Sequence, residues 1–236
     1  MQKNKDRLLT RWSFNLIISL LFSFLISPAI AQIEQTEYIE KTGTKSTKIT
    51  RGLDKSAGAN VFTYKDSSGK TSLYKTDSSG STLQWQLNDA AGPTNLVAKR
   101  DGKAILVSGT FKGETIKKKV AIDHAPWYQS IALSLAWFVK SDKPSIVFWS
   151  LRPDKLLPFK LKAKKVKTEF INLNGKRVEA ERVKITLTGL KSMFWQSNYW
   201  FRKSDNLFIR YEGVDGPPGT PETVTTLSKE VLRKGE

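Results

Sequence analysis

The sequence contains no cysteine, one histidine and two methionines among its 236 residues. Without cysteine, the chain forms no disulfide and offers no thiolate for zinc, for an iron–sulfur cluster or for nucleophilic catalysis. A lipid cannot be attached through cysteine either, so the protein is not a lipoprotein. The single histidine, His124, also argues against zinc and copper sites built from several imidazoles, and we interpret it as a structural or solvated residue.

Acidic residues are scarce relative to basic ones, with 22 Asp and Glu against 39 Lys and Arg and a net charge of +17. Hydrophobic residues make up 39% of the chain and aromatic residues 11%, which is enough for a sizeable core and excludes a disordered chain. The charge therefore belongs to a folded protein, and it favours an anionic partner of some kind.

The first 31 residues have the pattern of a secretory signal peptide. Four basic residues precede residues 12–26, a run of 15 without a charged side chain. That run is shorter than the roughly 20 residues of a membrane-spanning helix. Ala29 and Ala31 supply the small residues that a signal peptidase requires, so we expect cleavage before Gln32. An uncleaved N-terminal anchor is the alternative interpretation.

Export leaves one β-rich domain, residues 32–236, which we expect in the periplasm. Residues 1–31 carry four positive charges and one negative charge, so the mature chain of 205 residues keeps a net charge of +14. Anionic lipid head groups, an acidic envelope polymer and an acidic protein remain candidate partners, whereas export makes nucleic acid the least expected partner.

Residues 33–122 alternate between apolar and polar side chains, with turn-forming residues every eight to eleven positions. This pattern predicts an antiparallel meander. Two copies of the sequence Asp-Ser-Ser-Gly, beginning at Asp66 and Asp77, predict turns between three successive strands. The dipeptides Asp101-Gly102 and Asn174-Gly175 predict two-residue hairpin turns, because both residue types tolerate positive φ.

The period changes between residues 123 and 141. Trp127, Ile131 and Leu135 lie four positions apart, and no glycine or proline interrupts residues 127–138, so we predict one buried helix there. Residues 145–151 form a β-branched and aromatic run that predicts a buried strand, and strict alternation resumes over residues 159–168. A slip of phase at Lys164 and Lys165 predicts a β-bulge, with Val166 on the apolar face.

Six tryptophans remain after residue 31, and five of them lie from Trp127 onward. Core filling is the ordinary interpretation of such residues, but the same side chains would also form the wall of a cavity for an apolar ligand. The proline-rich connection 213–221 is predicted to be an ordered rim of that cavity. The candidate ligand-binding residues are Trp137, Trp149, Trp195, Tyr199, Trp200 and Tyr211.

Lysines form the clearest charge pattern of the mature chain. Lys160, Lys162 and Lys164 share one face of a predicted strand and are candidates for contact with an anionic membrane surface or envelope polymer. The alternative is that strand lysines prevent pairing with other chains. No recognisable pair of acid and base residues is present, so we expect neither catalysis nor a metal or cofactor.

Three segments carry a resemblance to a known family. They are 194–202 (FWQSNYWFR), 207–213 (LFIRYEG) and 216–221 (GPPGTP). With them the chain resembles an exported bacterial family of unknown function, numbered 3108. The resemblance implies a mainly β protein, with an antiparallel sheet curled into an incomplete barrel around one helix, similar to the fold of periplasmic lipoprotein carriers. It implies no catalytic residue.

Two classes of function follow from these observations. The first is a non-enzymatic periplasmic binding or carrier protein for a lipid-like or other apolar ligand, with a basic face toward anionic envelope components. The second is an envelope assembly or scaffold module with a filled core and a protein partner. A hydrolase with an unrecognised site is a third, weaker hypothesis.

The predicted cleavage site defines a mature N-terminus at Gln32. Intact-mass analysis of the exported protein is expected to show a chain that begins there, because the run 12–26 is too short to serve as a spanning anchor. A mass that includes Met1 contradicts cleavage and supports the anchor.

Overall fold

Fourteen strands, one α-helix and a short 3-10 helix form the regular structure of the described residues. The structure is a computed structural model that describes residues 33–54, 60–193, 195–214 and 219–232. These residues belong to one compact unit. The predicted signal peptide and the predicted domain start at Gln32 lie outside them and stay predictions.

In chain order the elements are β1 (Ile33–Thr42), β2 (Lys45–Asp54), β3 (Asn60–Asp66), β4 (Thr71–Thr76), β5 (Thr82–Asp89), β6 (Thr94–Asp101), β7 (Ala104–Phe111), β8 (Glu114–Ala121), α1 (Ile131–Lys140), β9 (Ser145–Leu151), β10 (Pro158–Leu173), β11 (Lys176–Leu187), a 3-10 helix (Gly189–Met193), β12 (Gln196–Arg202), β13 (Phe208–Val214) and β14 (Glu222–Leu232).

All fourteen strands belong to one antiparallel sheet. Its order is β8-β7-β6-β5-β4-β3-β2-β1-β14-β13-β12-β11-β10-β9. Apart from β8 and β9, strands that follow one another in the sequence pair with each other. The pairing of β1 with β14 joins the two meanders. Within the described residues β8 and β9 remain the edges, so the sheet is not closed into a barrel. The predicted fold class, an antiparallel incomplete barrel with one helix, is confirmed.

The two Asp-Ser-Ser-Gly turns have the same geometry because the same side chain organises each. The carboxylate of Asp66 accepts hydrogen bonds from the backbone N–H groups of Ser68 and Lys70, at 2.9 and 3.1 Å. The carboxylate of Asp77 accepts two equivalent bonds, from Ser79 and Ser81. Such Asx turns reverse the chain locally, and they confirm the predicted succession of β3, β4 and β5.

One predicted hairpin turn is confirmed and the other is displaced by one residue. Asn174 and Gly175 connect β10 to β11 with φ of 52° and 81°, which a two-residue turn of type I′ requires. In the other hairpin, Asp101 pairs with Ala104. The turn is therefore formed by residues 102–103, and the prediction that it consists of residues 101–102 is wrong.

Strand β10 carries the lysine row and the bulge. Leu161 and Ala163 are buried, whereas Lys162 and Lys164 are exposed, as the alternation predicts. The register shifts between Lys165 and Lys167, so the intervening Val166 is the extra residue of the bulge. Its side chain is exposed. The prediction that Val166 takes the apolar face is wrong, because a bulged residue leaves the alternation of its strand.

Helix α1 begins at Ile131, four residues later than the predicted start at Trp127. Trp127 instead forms an isolated parallel bridge with Trp149 of β9. The helix is buried as predicted, with Leu135 and Phe138 inaccessible to solvent. The backbone before the helix is extended and not helical. In this conformation it forms hydrogen bonds with backbone groups of β5 and β9, which a helical turn would leave without partners.

We call residues 126–129 the clasp, because they lie between β5 and β9. The N–H of Thr82 on β5 donates to the carbonyl of Trp127 at 2.7 Å, and the N–H of Tyr128 donates to the carbonyl of Trp149 on β9 at 2.8 Å. The clasp therefore links two strands that stand far apart in the order of the sheet. By joining β5 to β9, the clasp keeps the sheet curled.

A buried glutamine completes the clasp. The side-chain oxygen of Gln129 accepts hydrogen bonds from the indole of Trp127 and the backbone N–H of Leu151, each at 3.0 Å. Its side-chain nitrogen donates to the carbonyl of Leu151 at 3.0 Å, and its backbone N–H donates to the hydroxyl of Thr82 at 3.0 Å. Because Trp127, Leu151 and Thr82 are buried, water cannot replace these bonds without opening the structure.

Replacement of Gln129 by alanine is expected to lower the free energy of unfolding by about 3 kcal/mol. The change leaves the indole N–H of Trp127 and both backbone groups of Leu151 without partners, and a buried polar group without a partner costs about 1 to 3 kcal/mol. Urea unfolding at pH 7 measures the effect. Gln196→Ala, at an exposed position of β12, is the matched control and is expected to change the value by less than about 0.5 kcal/mol. Equal losses in the two variants contradict a special role of Gln129.

Candidate functional site

The curled sheet contains a cavity of about 1130 Å³. Its apolar lining comes from residues near the ends of several strands or beside them: Leu87, Phe111, Phe159, Leu187 and Trp195. A volume of this size exceeds that of most small-molecule sites, which measure roughly 300 to 1,000 Å³. The cavity is the candidate functional site of the protein.

The topology explains why these residues meet. In the order of the sheet all odd-numbered strands run in the same direction, so β5, β7, β9 and β11 end at the same side. Leu87 lies near the end of β5, Phe111 ends β7 and Leu187 ends β11. Phe159 is the second residue of β10, just after the β9–β10 loop. We call this side the mouth end. It gathers side chains that are up to a hundred positions apart in the sequence.

The helix lies toward the opposite side. The turn after β4 contains Gly80 and, because β4 is an even-numbered strand, lies at the side opposite the mouth end. This turn packs closely on α1, since a Cβ atom at Gly80 would lie 3.0 Å from the carbonyl oxygen of Ser134. Helix α1 also packs in the larger core, where Leu135 and Phe138 contact neighbouring strands. The interior of the curl is therefore filled by α1 in one part and remains open at the mouth end.

Cations surround the mouth of the cavity. Lys70, Lys112 and Lys155 contribute to its lining, and no ion pair of any of the three is found within the described residues. Arg152 also lines the cavity and pairs with Asp154 at 2.8 Å. The remaining acidic group is Asp89, whose carboxylate accepts a hydrogen bond from the N–H of Gly92. The mouth is thus basic while the deeper lining is apolar.

Of the six aromatic residues that the sequence put forward, the structure places Trp195 in the cavity lining. Its indole N–H donates to the carbonyl of Val214 at 2.7 Å, which fixes the ring at the start of β12. The predicted rim, residues 213–221, includes Pro217 and Pro218, which lie outside the described residues, and its role stays a prediction.

Three of the other five aromatic residues lie on β12 and β13. The rings of Tyr199 and Tyr211 pack against each other, with centroids 4.9 Å apart. The indole N–H of Trp200 donates to Glu169 at 3.0 Å, and the guanidinium of Arg210 lies 6.0 Å from its ring. Trp200 and Tyr211 belong to the larger core and Tyr199 packs against it. None of the three is among the residues that line the cavity.

The last two aromatic candidates, Trp137 and Trp149, have separate surroundings. Trp137 lies on α1 at the border of the larger core, with the ammonium of Lys143 5.6 Å from its ring. Trp149 on β9 packs against the smaller core, and its indole N–H donates to Asp123 at 2.7 Å. The structure does not bring the six candidates together, and their role in ligand binding stays a prediction.

Of the large apolar residues that line the cavity, sequence reasoning missed Leu87, Phe111, Phe159 and Leu187. A usable signal existed, because these positions lie at or near strand ends next to turns on one side of a meander. What the sequence does not contain is the position of β11 opposite β5 and β7, which depends on the curl of the sheet.

The lysines proposed for an anionic surface differ in their surroundings. The ammonium of Lys160 forms an ion pair with Asp123 and lies 5.3 Å from the ring centroid of Trp149. Lys162 and Lys164 are exposed, and no ion pair of theirs is found in the described part of the chain. Those two therefore remain available to an external anion.

Asp123 has three hydrogen-bond donors. The ammonium of Lys160, the indole of Trp149 and the backbone N–H of Ala125 hold the pKa of this carboxyl well below its usual range, with Lys160 the largest cause. The guanidinium of Arg100 also donates to the backbone carbonyl of Asp123. Asp123 thus links the chain that enters the clasp to β6, β9 and β10.

Replacement of Asp123 by asparagine is expected to destabilise the protein at pH 7. A lowered pKa means that the ionised carboxylate stabilises the folded state above its ordinary pKa of about 4, and that this stabilisation is lost as the pH falls below that value. The difference in Tm between wild type and Asp123→Asn should therefore shrink from pH 7 to pH 3. Asp142→Asn, at an exposed aspartate, is the control. A difference in Tm that is the same at both pH values contradicts the assignment.

The described residues contain no helix that is long and apolar enough to cross a membrane. Among the same residues, no group of three or more acidic or histidine side chains is placed to hold a metal ion.

Comparison with known proteins identifies similar folds and no family. No family model matches the chain, and no curated protein matches it significantly. The chain is similar to the crystal structure of a β-barrel-like protein of the domain of unknown function DUF1849 from Brucella abortus, with a TM-score of 0.58 and 7% identity over 85% of this chain and 98% of that one. At this identity the likeness shows the fold alone.

Two further solved structures are more distant. The hypothetical lipoprotein YmcC from Escherichia coli is 10% identical, with a TM-score of 0.41 over 85% of this chain and 89% of that one. A LolA-superfamily protein from Nitrosomonas europaea is 8% identical, with a TM-score of 0.31 over 88% of this chain and 90% of that one.

Proposed function

We propose that the protein is a non-enzymatic periplasmic carrier that holds a lipid-like or other apolar ligand in the cavity at the mouth end. The observation that carries this proposal is the cavity itself, whose lining combines Leu87, Phe111, Phe159, Leu187 and Trp195. Apolar lining in an open cavity of about 1130 Å³ is free to bury apolar surface of a ligand, which is the main source of affinity for such molecules.

The fold supports the same proposal. An antiparallel sheet that curls without closing leaves one end accessible, while the clasp and α1 keep the other part filled. A preformed cavity with an open end binds a ligand without the entropic cost of ordering the protein first. We include in this proposal that the chain belongs to the family numbered 3108 and that it is related to periplasmic lipoprotein carriers.

The proposal includes a basic face toward anionic envelope components. Lys162 and Lys164 project from β10 as exposed cations, and the mature chain has an excess of positive charge. Lys160 belongs to the same row but is paired with Asp123, so it contributes less net charge to this face. An anionic lipid surface or an acidic envelope polymer would be attracted by these groups.

Phe159 and Phe170 provide a matched test, because both are phenylalanines of β10. Phe159 lines the cavity, whereas Phe170 is 56% exposed elsewhere on the strand. With a fluorescent fatty acid of 18 carbons as the probe, Phe159→Ser is expected to weaken binding about tenfold, because apolar contact area is lost. Phe170→Ser is expected to bind within about twofold of wild type, and melting curves of both variants separate binding from stability.

The outcomes distinguish the two classes of function. Equal binding by Phe159→Ser and wild type, at equal stability, overturns the cavity as the binding site. Failure of the wild-type protein to bind the probe, together with no lipid found by mass spectrometry of an extract of the exported protein, favours the assembly or scaffold module instead.

A further inference from the structure

Two large apolar side chains protrude from the 3-10 helix between β11 and β12. Leu190 is 87% exposed and Met193 is 81% exposed, the highest values among the exposed large hydrophobic residues of the described chain. Single exposed apolar residues are ordinary on protein surfaces, but two in one short turn form a patch that water solvates poorly. We call this pair the apolar tip.

The apolar tip lies at the mouth of the cavity. The 3-10 helix Gly189–Met193 is bracketed by Leu187 and Trp195, both of which line the cavity. Leu187 ends β11 at the mouth end, and Trp195 precedes β12 with its indole fixed to Val214. The tip therefore projects from the part of the chain through which a ligand would enter.

Basic groups outnumber acidic ones near the tip, because Lys70, Lys112, Arg152 and Lys155 line the cavity together with Asp89 and Asp154. Lys112 and Lys155 line the cavity and are exposed, and no ion pair of either is found within the described residues. On the outer side, the backbone N–H of Thr188 donates to the carbonyl of Lys160, so the lysine row of β10 runs up to the start of the 3-10 helix. Exposed Lys162 continues that row.

We propose that the mouth end docks on an anionic lipid bilayer, with Leu190 and Met193 inserted among the lipid head groups and acyl chains. Exposed apolar side chains surrounded by lysines combine the two forces that hold peripheral proteins on membranes, namely burial of apolar surface and attraction to anionic lipids. This inference rests on the proposed carrier function, because docking in this orientation places the cavity mouth against the lipid and lets a ligand pass without crossing water.

The absence of cysteine makes insertion directly measurable. Leu190→Cys, labelled with a polarity-sensitive fluorophore, is expected to shift to shorter emission wavelength on vesicles of 30% phosphatidylglycerol and 70% phosphatidylcholine. The same label at Leu106→Cys, an exposed position of β7, is the control and is expected to keep its emission. No shift at residue 190 under conditions where the protein sediments with the vesicles overturns the insertion.

Vesicle affinity tests the contribution of the tip. Leu190→Ser with Met193→Ser is expected to weaken binding to these vesicles about tenfold or more, because the apolar contribution is lost. Leu83→Ser with Leu106→Ser removes two exposed leucines elsewhere and should stay within about twofold. Since all four positions are exposed, the variants should fold normally, and equal melting temperatures verify this.

Lysine variants test the charge. Lys112→Gln with Lys155→Gln is expected to weaken binding several-fold and to reduce its sensitivity to salt. Lys103→Gln with Lys176→Gln is the control, because Lys103 lies in the turn after β6 and Lys176 begins β11, so both are exposed lysines at the opposite end of the sheet. Equal loss in the two lysine variants contradicts an oriented contact and indicates attraction by net charge alone.

These measurements use vesicles without added ligand, whereas the carrier function is tested with a soluble probe without vesicles. Loss of probe binding with intact vesicle docking would refute the carrier and keep the docking surface. Probe binding without any affinity for vesicles would refute docking, and in that case capture of a protein by the tip is the competing explanation.

Discussion

The buried amide of Gln129 is the interaction on which the curl of the sheet depends. It bonds to Trp127 in its own segment and to Leu151 on β9, while its backbone N–H reaches Thr82 on β5. In a flat sheet of this order, nine other strands would lie between β5 and β9. At about 4.8 Å per strand, they would be more than 40 Å from each other. A single buried side chain with every polar atom paired is thus placed where the two parts of an open sheet meet.

This arrangement also decides where the interior is filled. The clasp leads directly into α1, which packs in the larger core near the turn after β4, and it leaves the other end of the curl to strand ends and turns. Apolar side chains at those strand ends face a cavity because no helix covers them in the described chain. The connection from β8 to β9 contains both the clasp and α1. This one connection therefore fills one end of the curl and leaves the other end open.

Charge follows the same division of the molecule. Near the clasp, Asp123 neutralises Lys160 and accepts hydrogen bonds, so the basic row of β10 is anchored at one end by an acidic partner. At the mouth, Lys70, Lys112 and Lys155 surround an apolar interior. Buried or half-buried charges need partners, whereas exposed lysines keep their charge in water and remain able to attract anions. The same residue type therefore forms an ion pair within the fold at Lys160 and, at the mouth, carries charge for which the described residues show no ion pair.

The sequence by itself determined the local features of this protein. The Asp-Ser-Ser-Gly turns, the Asn174-Gly175 hairpin and the alternation along β10 depend on neighbouring residues, and they follow from the conformational preferences of those residues. The tertiary structure decided the start of α1, the partners of Asp123 and Gln129, and the fact that Trp195, but neither Trp149 nor Trp200, lines the cavity. Those outcomes depend on contacts between residues 20 to 50 positions apart or more. Aromatic side chains can fill a core or line a cavity equally well, so only the curl of the sheet decides which of them line the cavity.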